Sequence, residues 1–392
     1  MESIYSSEFN DFCRKYFIKG GQQPTKMDVM PFMKRYEDLK SSLFEQFMLY
    51  DKNVFKVYGE NIPLSILINE LSLKGVEQLV EQDAINFALW SPMVANSVSN
   101  IDGLVPLMSG RHSSEVHTDP EQSIHCSFNF MRSPPNKKQR ETITRKIRDC
   151  YTIPKVGLEN DVVQMTLSAY ESNKFAKFGL DSENSDIYKL STQQKNLLTK
   201  CASDLLEFKF ILSENLVSNS SNRPFCHLFN DSAFRVSQIN RNNITSHIAT
   251  LEQFPDLQSL RMELNLPLNK VCKLRNTKNA IKYREWLSSL NTINSMEDVT
   301  KEYIDAIANR KGFFETKKGR FVKNVGMTAI GAGIGSIAGP AGAVAGGAIG
   351  KLIEPVADFA LDIIDEYFLS ELTKGWSPKM FFEALNTEKN KT

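Results

Sequence analysis

From residue 25 to about 310 the spacing of apolar positions is mainly helical, with a few strands near the front. Val54-Phe55-Lys56-Val57-Tyr58 reads as a short strand closed by Gly59, and Ala84 to Trp90 as another stopped by Ser91-Pro92. Between them Asn61 can cap a helix with Pro63 in its first turn and Leu64, Leu67, Ile68 and Leu71 on its apolar face. Farther on, Ser191 with Gln194 forms a capping box ahead of Leu198, Cys201, Leu205, Phe208 and Leu212. Ser295 with Asp298 opens a further helix through Val299, Tyr303 and Ile307, and the Ser/Asn-rich stretch Ser218 to Asn222 reads as an exposed loop. No repeat of fixed period is present, which argues against a solenoid. The expected fold is mainly α with a small α+β N-terminal part. An α+β unit over 1–110 and a helical body over 111–310 precede residues 311–392, which combine a basic linker, a Gly/Ala-rich segment and an amphipathic helix.

One stretch departs from this pattern. Asn324 to Gly350 runs for 27 residues without Asp, Glu, Lys, Arg or His, and holds nine of the 20 glycines together with seven alanines. As a single helix it would measure about 40 Å, against a bilayer core of about 30 Å. Pro340 in its middle favours a kink or a helical hairpin. Gly331, Gly335 and Gly339 repeat every four residues before the proline, and Gly342, Gly346 and Gly350 do so after it. That spacing stacks them on one helix face, where another backbone can come close. Each glycine costs a helix roughly 0.8–1 kcal/mol against alanine, so nine cost about 8 kcal/mol, which close packing must offset inside the protein or in a membrane. The arrangement resembles the glycine-zipper segments of membrane-active bacterial peptides and pore formers. The resemblance concerns spacing and covers this segment alone.

The flanks carry opposite charge. Arg310, Lys311, Lys317, Lys318, Arg320 and Lys323 precede the segment with only Glu315 among them; Glu354, Asp358, Asp362, Asp365, Glu366 and Glu371 follow it against Lys351 and Lys374. The basic side should stay cytoplasmic and attract anionic lipid. Ile353 to Leu372 reads as an amphipathic helix with Val356, Phe359, Ile363, Tyr367 and Phe368 on one side, and Gly375 as its C-cap.

Composition narrows the classes. The 47 Lys and Arg against 46 Asp and Glu give a net charge of +1, which excludes a globally basic nucleic-acid coat and makes any charged surface local. None of the six cysteines lies within two residues of another, so there is no C-x-x-C zinc or redox pair. Met1 to Tyr16 mixes charges into the run with no apolar core after it, which reads as cytosolic rather than secretory.

The candidate chemistry is sparse. His117, Glu121 and His125 can be drawn as a metal site, since Glu121 and His125 would share a helix face. The competing account is a helix start at Asp119-Pro120-Glu121, with Ile124, Phe128 and Met131 as the buried face. Gly333-Ile334-Gly335 and Gly350-Lys351 fail as phosphate loops, because Ala338, Ala345 and Leu352 stand where the motifs need other residues. His227, Asn230 and His247, and Pro255-Asp256 with Glu263-Leu264-Asn265, are nuclease near misses. Two basic runs matter more for partners. Lys137, Lys138, Arg140 and Arg145, with Lys146 and Arg148, surround Ile143 and Ile147; Lys270, Lys273, Arg275, Lys278 and Arg284, with Lys282, crowd a second stretch. They are solvated faces or an anion-binding surface for nucleotide, nucleic acid or lipid headgroup.

These features together lead to a membrane-permeabilising effector of toxin or antiphage-defence type: an oligomeric pore or ion channel held inactive by a cytoplasmic sensing body. Its expected partners are copies of itself, inner-membrane lipid, and a nucleotide, nucleic-acid or protein regulator, with no cofactor. The rivals are a soluble metal-dependent hydrolase built on His117, Glu121 and His125, and a soluble interaction scaffold with a buried Gly-rich hairpin.

Overall fold

The computed structural model describes residues 3–18, 29–97, 99–131, 133–176, 179–214, 216–218 and 257–289, with Phe381, Ala384 and Leu385 beyond them. This part is mainly helical around a small parallel sheet. The strands are β1 (Ser3–Tyr5), β2 (Lys52–Val57), β3 (Ile85–Leu89), β6 (Tyr151–Thr152) and β7 (Val217–Ser218), in the order β6-β3-β2-β1-β7, every pair parallel. A separate antiparallel pair, β4 (Pro92–Asn96) and β5 (Leu107–Arg111), follows β3.

Parallel neighbours need crossovers, and helices supply them. α1 (Ser7–Cys13) and α2 (Val29–Leu49) connect β1 to β2, and α3 (Ile62–Glu81) connects β2 to β3. Then come α4 (Glu115–Thr118), α5 (Pro120–Ser127), α6 (Lys137–Ile147), α7 (Leu158–Glu171) and α8 (Thr192–Ser213). After β7, α9 (Leu257–Glu263), α10 (Val271–Leu274) and α11 (Lys278–Ser289) return to the globule. This agrees in outline with a mainly α fold carrying a small N-terminal α and β part: β1, β2 and β3 run parallel, β4 and β5 pair antiparallel, and β6 and β7 join the parallel sheet from beyond residue 110.

Side-chain alternation along each strand divides the core in two. Ile4, Phe55, Val57, Ile85, Phe87 and Leu89 face one cluster, completed by α1, α2, α3, α5, α6 and the α9–α11 return. Tyr5, Val54, Ala88 and Trp90 face the other, completed by α7 and α8. Burial on both faces is the usual condition of a parallel sheet.

The local signals behave as their chemistry requires. The Asn61 side chain accepts from the Leu64 N–H at 2.8 Å, and Leu64, Leu67, Ile68 and Leu71 are buried. Ser72, at φ 69, breaks α3 partway, and Gly75 just after it lets the Cys272 Sγ of α10 approach to 3.3 Å of where a Cβ would stand. At α8 the Gln194 N–H donates to Ser191 Oγ and the Ser191 N–H to Gln194 Oε1, while Leu198, Cys201, Leu205 and Phe208 are buried.

Candidate functional site

The second basic run splits into two populations. α10, α11 and the turn before them pack on the first core cluster through Leu268, Val271, Cys272, Leu274, Ala280 and Tyr283. This places Arg275, 3% exposed, behind the C-terminal end of α2. Its Nη1 donates to the carbonyls of Phe47 and Tyr50, and its Nη2 to the carbonyl of Asp51. A helix leaves its last carbonyls without intrahelical partners, and a cation there satisfies them and the macrodipole together. Arg284 completes the joint: its Nη2 donates to the Arg275 carbonyl at 2.9 Å and its Nε lies 3.7 Å from Asp51 Oδ1.

Burial pushes the Arg275 guanidinium down to about 9, and the Arg284 charge acts in the same direction while Asp51 opposes both. Burial lowers Arg284 as well, against Asp51 and Glu285. Arg275 Nε and Arg284 Nη1 are buried with no hydrogen-bond partner among the described residues. Of the other cations in this run, Lys273 and Lys278 are exposed, and Lys270 and Lys282 half-buried.

Beside this joint, where β1 and β2 begin, lies a cavity of about 780 Å³. Lys273, Arg275 and Arg284 line it from the α10–α11 side; Gln78, Glu81 and Gln82 line it from the end of α3, with Asp83 just beyond. Gln82 Nε2 donates to the Cys272 carbonyl at 3.2 Å and joins the two sides. Lys52 Nζ lies 2.7 Å from Asp83, and Lys146 Nζ 3.3 Å from Glu81.

Lys146 belongs to α6, so the first basic run flanks the same end of α3. Asn136 and Gln139 cap α6 reciprocally, and Ile143 and Ile147 are buried. Lys137, Lys138 and Arg145 are exposed; Arg140 Nε donates to the Pro135 carbonyl at 2.7 Å, with its guanidinium 5.4 Å from the Phe128 ring centroid.

The metal candidates turn to other partners. Glu121 Oε1 accepts from Arg148 at 3.1 Å, His117 Nδ1 pairs with Ser114 Oγ at 2.8 Å, and exposed His125 meets the edge of Phe128. Among the described residues no group of three His, Cys, Asp or Glu is placed to hold a metal ion. The helix start accounts for this stretch: the Asp119 side chain accepts from the Glu121 N–H at 2.8 Å, and Ile124 and Phe128 are buried. His117 instead stacks on His112, ring centroids 4.5 Å apart, and closes over Gly59, whose φ of +76 suits the turn after β2. Burial lowers the His117 pKa, the neighbouring His112 lowers it further, and Glu60 opposes them. Burial raises the thiols of Cys13, Cys126, Cys150, Cys201 and Cys272, which disfavours the nucleophilic thiolate at each.

Two features carry no flag in a linear reading. Lys56, 4% exposed, points from β2 to Glu207 of α8 at 2.8 Å, its Nζ 3.9 Å from the Trp90 ring centroid and 4.4 Å from that of Tyr58. Phe381 and Leu385 are 1% and 2% exposed in the first core cluster, and the Phe381 ring lies parallel to Tyr283 with centroids 4.3 Å apart. Their spacing of four, one helical turn, is the signal that could have found them.

The zipper glycines Gly331, Gly335, Gly339, Gly342, Gly346 and Gly350, their basic approach and the stretch 353–372 lie outside the described residues, as do His227, Asn230 and His247. No helix among the described residues is long and apolar enough to cross a membrane. Comparison with protein families, curated proteins and solved structures finds no match to this chain.

Proposed function

We propose that the protein is a membrane-permeabilising effector, of toxin or antiphage-defence type, in which residues 324–350 from several copies assemble in the inner membrane. In this scheme the cytoplasmic α/β body holds the segment back until a ligand or partner acts. The observation that carries the proposal is the return of Phe381 and Leu385 to the body's core. Helix α11 ends at Ser289, and Phe381, on the far side of the uncharged segment in sequence, stacks on Tyr283 of that helix. A segment rich in glycine has little apolar area with which to insert unaided. Restraint by a small docked element therefore suits a device that a coupling free energy of roughly 1–3 kcal/mol must be able to release.

The test is membrane potential in cells expressing the intact chain at rising levels, beside a Gly335→Leu/Gly342→Leu variant. The intact chain should depolarise the membrane, and the leucines should abolish this by filling the close-approach face, with the melting of the body unchanged. Full depolarisation with normal oligomers in that variant would remove the zipper from the mechanism.

A further inference from the structure

We infer that the cavity between the end of α3 and the α10–α11 joint binds a nucleoside phosphate. Its role as the effector's trigger rests on the function proposed above; the binding itself does not. The volume of about 780 Å³ falls within the roughly 300–1,000 Å³ of small-molecule sites. The two sides differ in chemistry. Lys273, Arg275 and Arg284 concentrate positive charge on one, with Asp51 as the lining carboxylate beside them. The Arg284 charge lowers the Arg275 pKa, so the pair gains from an anion beside it. With the Arg275 fork held by the α2 carbonyls, exposed Lys273 and Arg284 Nη1, which has no hydrogen-bond partner among the described residues, are the donors left for phosphate oxygens.

The α3 side offers Gln78, Gln82 and Glu81, two amides and a carboxylate. Amides donate to and accept from a base edge, and a carboxylate accepts from ribose hydroxyls. Bare phosphate would gain the cationic side but meet Glu81 and Asp83 without using the amides. An uncharged nucleoside would leave the cationic side unanswered. A polynucleotide wants a continuous basic track, which the carboxylates interrupt. A ligand carrying phosphate at one end and hydrogen-bonding groups at the other answers both sides.

The cavity also has a path to the C-terminal clasp. Arg284 lines it, and the adjacent Tyr283 on the same helix receives Phe381. A ligand that draws Arg284 towards the cavity therefore acts on α11 one residue from the stack.

Calorimetric titration of the purified full chain with ATP, GTP, CTP and UTP tests the inference, with adenosine, inorganic phosphate and a single-stranded oligonucleotide as comparisons. At least one triphosphate should bind, with adenosine and phosphate weaker by about tenfold or more, the scale of one lost charge-assisted hydrogen bond. Arg275 and Arg284 hold the fold, so the variants are Lys273→Glu on the exposed rim and Gln78→Ala on the α3 side. Each should lower triphosphate affinity about tenfold with unchanged melting, and Gln78→Ala should leave phosphate binding as it was. Any of four results overturns the inference: no triphosphate binding at millimolar concentration, equal affinity for inorganic phosphate, no effect of Lys273→Glu, or tighter binding of the oligonucleotide. None of them touches depolarisation by the intact chain, so the two proposals fail separately.

Discussion

Phe381→Ala probes the restraint directly. The ring is 1% exposed and stacks on Tyr283 at 4.3 Å with the planes 9° apart. Truncating a buried Phe to Ala costs about 3–5 kcal/mol, of which the aromatic pair accounts for about 0.5–1.5 kcal/mol. Because Phe381 sits in an element joined to the body from outside the sheet, the loss should appear first as undocking rather than global unfolding. At about 1.4 kcal/mol per decade, even the lower figure multiplies the undocked population about a hundredfold. Limited proteolysis should therefore cut between the body and the C-terminus much faster in the variant, while far-ultraviolet circular dichroism of the body stays native. A double-mutant cycle with Tyr283→Ala should return a coupling of about 0.5–1.5 kcal/mol. In cells the variant should depolarise the membrane at lower expression than the parent. Unchanged cleavage together with an unchanged depolarisation threshold would refute the idea that this contact restrains anything.

Two further outcomes are expected of the body. Lys56→Met leaves Glu207, 13% exposed, without its cation and should cost about 3–5 kcal/mol in urea unfolding, whereas adding Glu207→Leu should recover most of it; equal losses in the single and double variants would deny the pairing. The His117 pKa is lowered from 6.5, so below that value the unfolded chain binds a proton that the folded chain resists, and stability falls as pH drops from 7 towards 5. His117→Gln should flatten that slope, and coincident stability–pH curves for the two proteins would show that the His112–His117 stack plays no part.

What the linear chain discloses depends on how local the cause is. Asn61, Asp119-Pro120-Glu121 and Ser191 with Gln194 act within three residues, and each forms the cap its chemistry requires. β2 and β3 are long enough to read, but β1 and β7 span three and two residues and acquire meaning only by pairing across the chain. That is why β2 and β3 are legible in the linear chain while the sheet's other described strands are not. Lys56 is hidden for a related reason: a lysine inside an apolar strand looks like a solvent-facing position until Glu207 and Trp90 close over it. Arg275 and Arg284 are indistinguishable in sequence from their solvated neighbours, because the carbonyl that holds Arg275 at 2.6 Å lies 225 residues away at Tyr50. The histidine constellation errs in the opposite sense. Its helical spacing is real, yet Glu121 on that helix turns to Arg148.

Fastening the chain at Tyr283 and again at Phe381 has a topological consequence. Both ends of the intervening stretch stay on one side of any bilayer, so with the stack closed it can cross only an even number of times. Folded at Pro340, residues 324–350 would give helical arms of about 24 and 15 Å, both shorter than a hydrocarbon core of about 30 Å. Straightened into one helical pass they would give about 40 Å, which is enough. A single pass has odd parity: it demands that Phe381 let go, and it carries the acids between Glu354 and Glu371 to the far face. On the function proposed above, the segment can dip into the membrane with the stack shut, and only opening the stack lets the chain reach through.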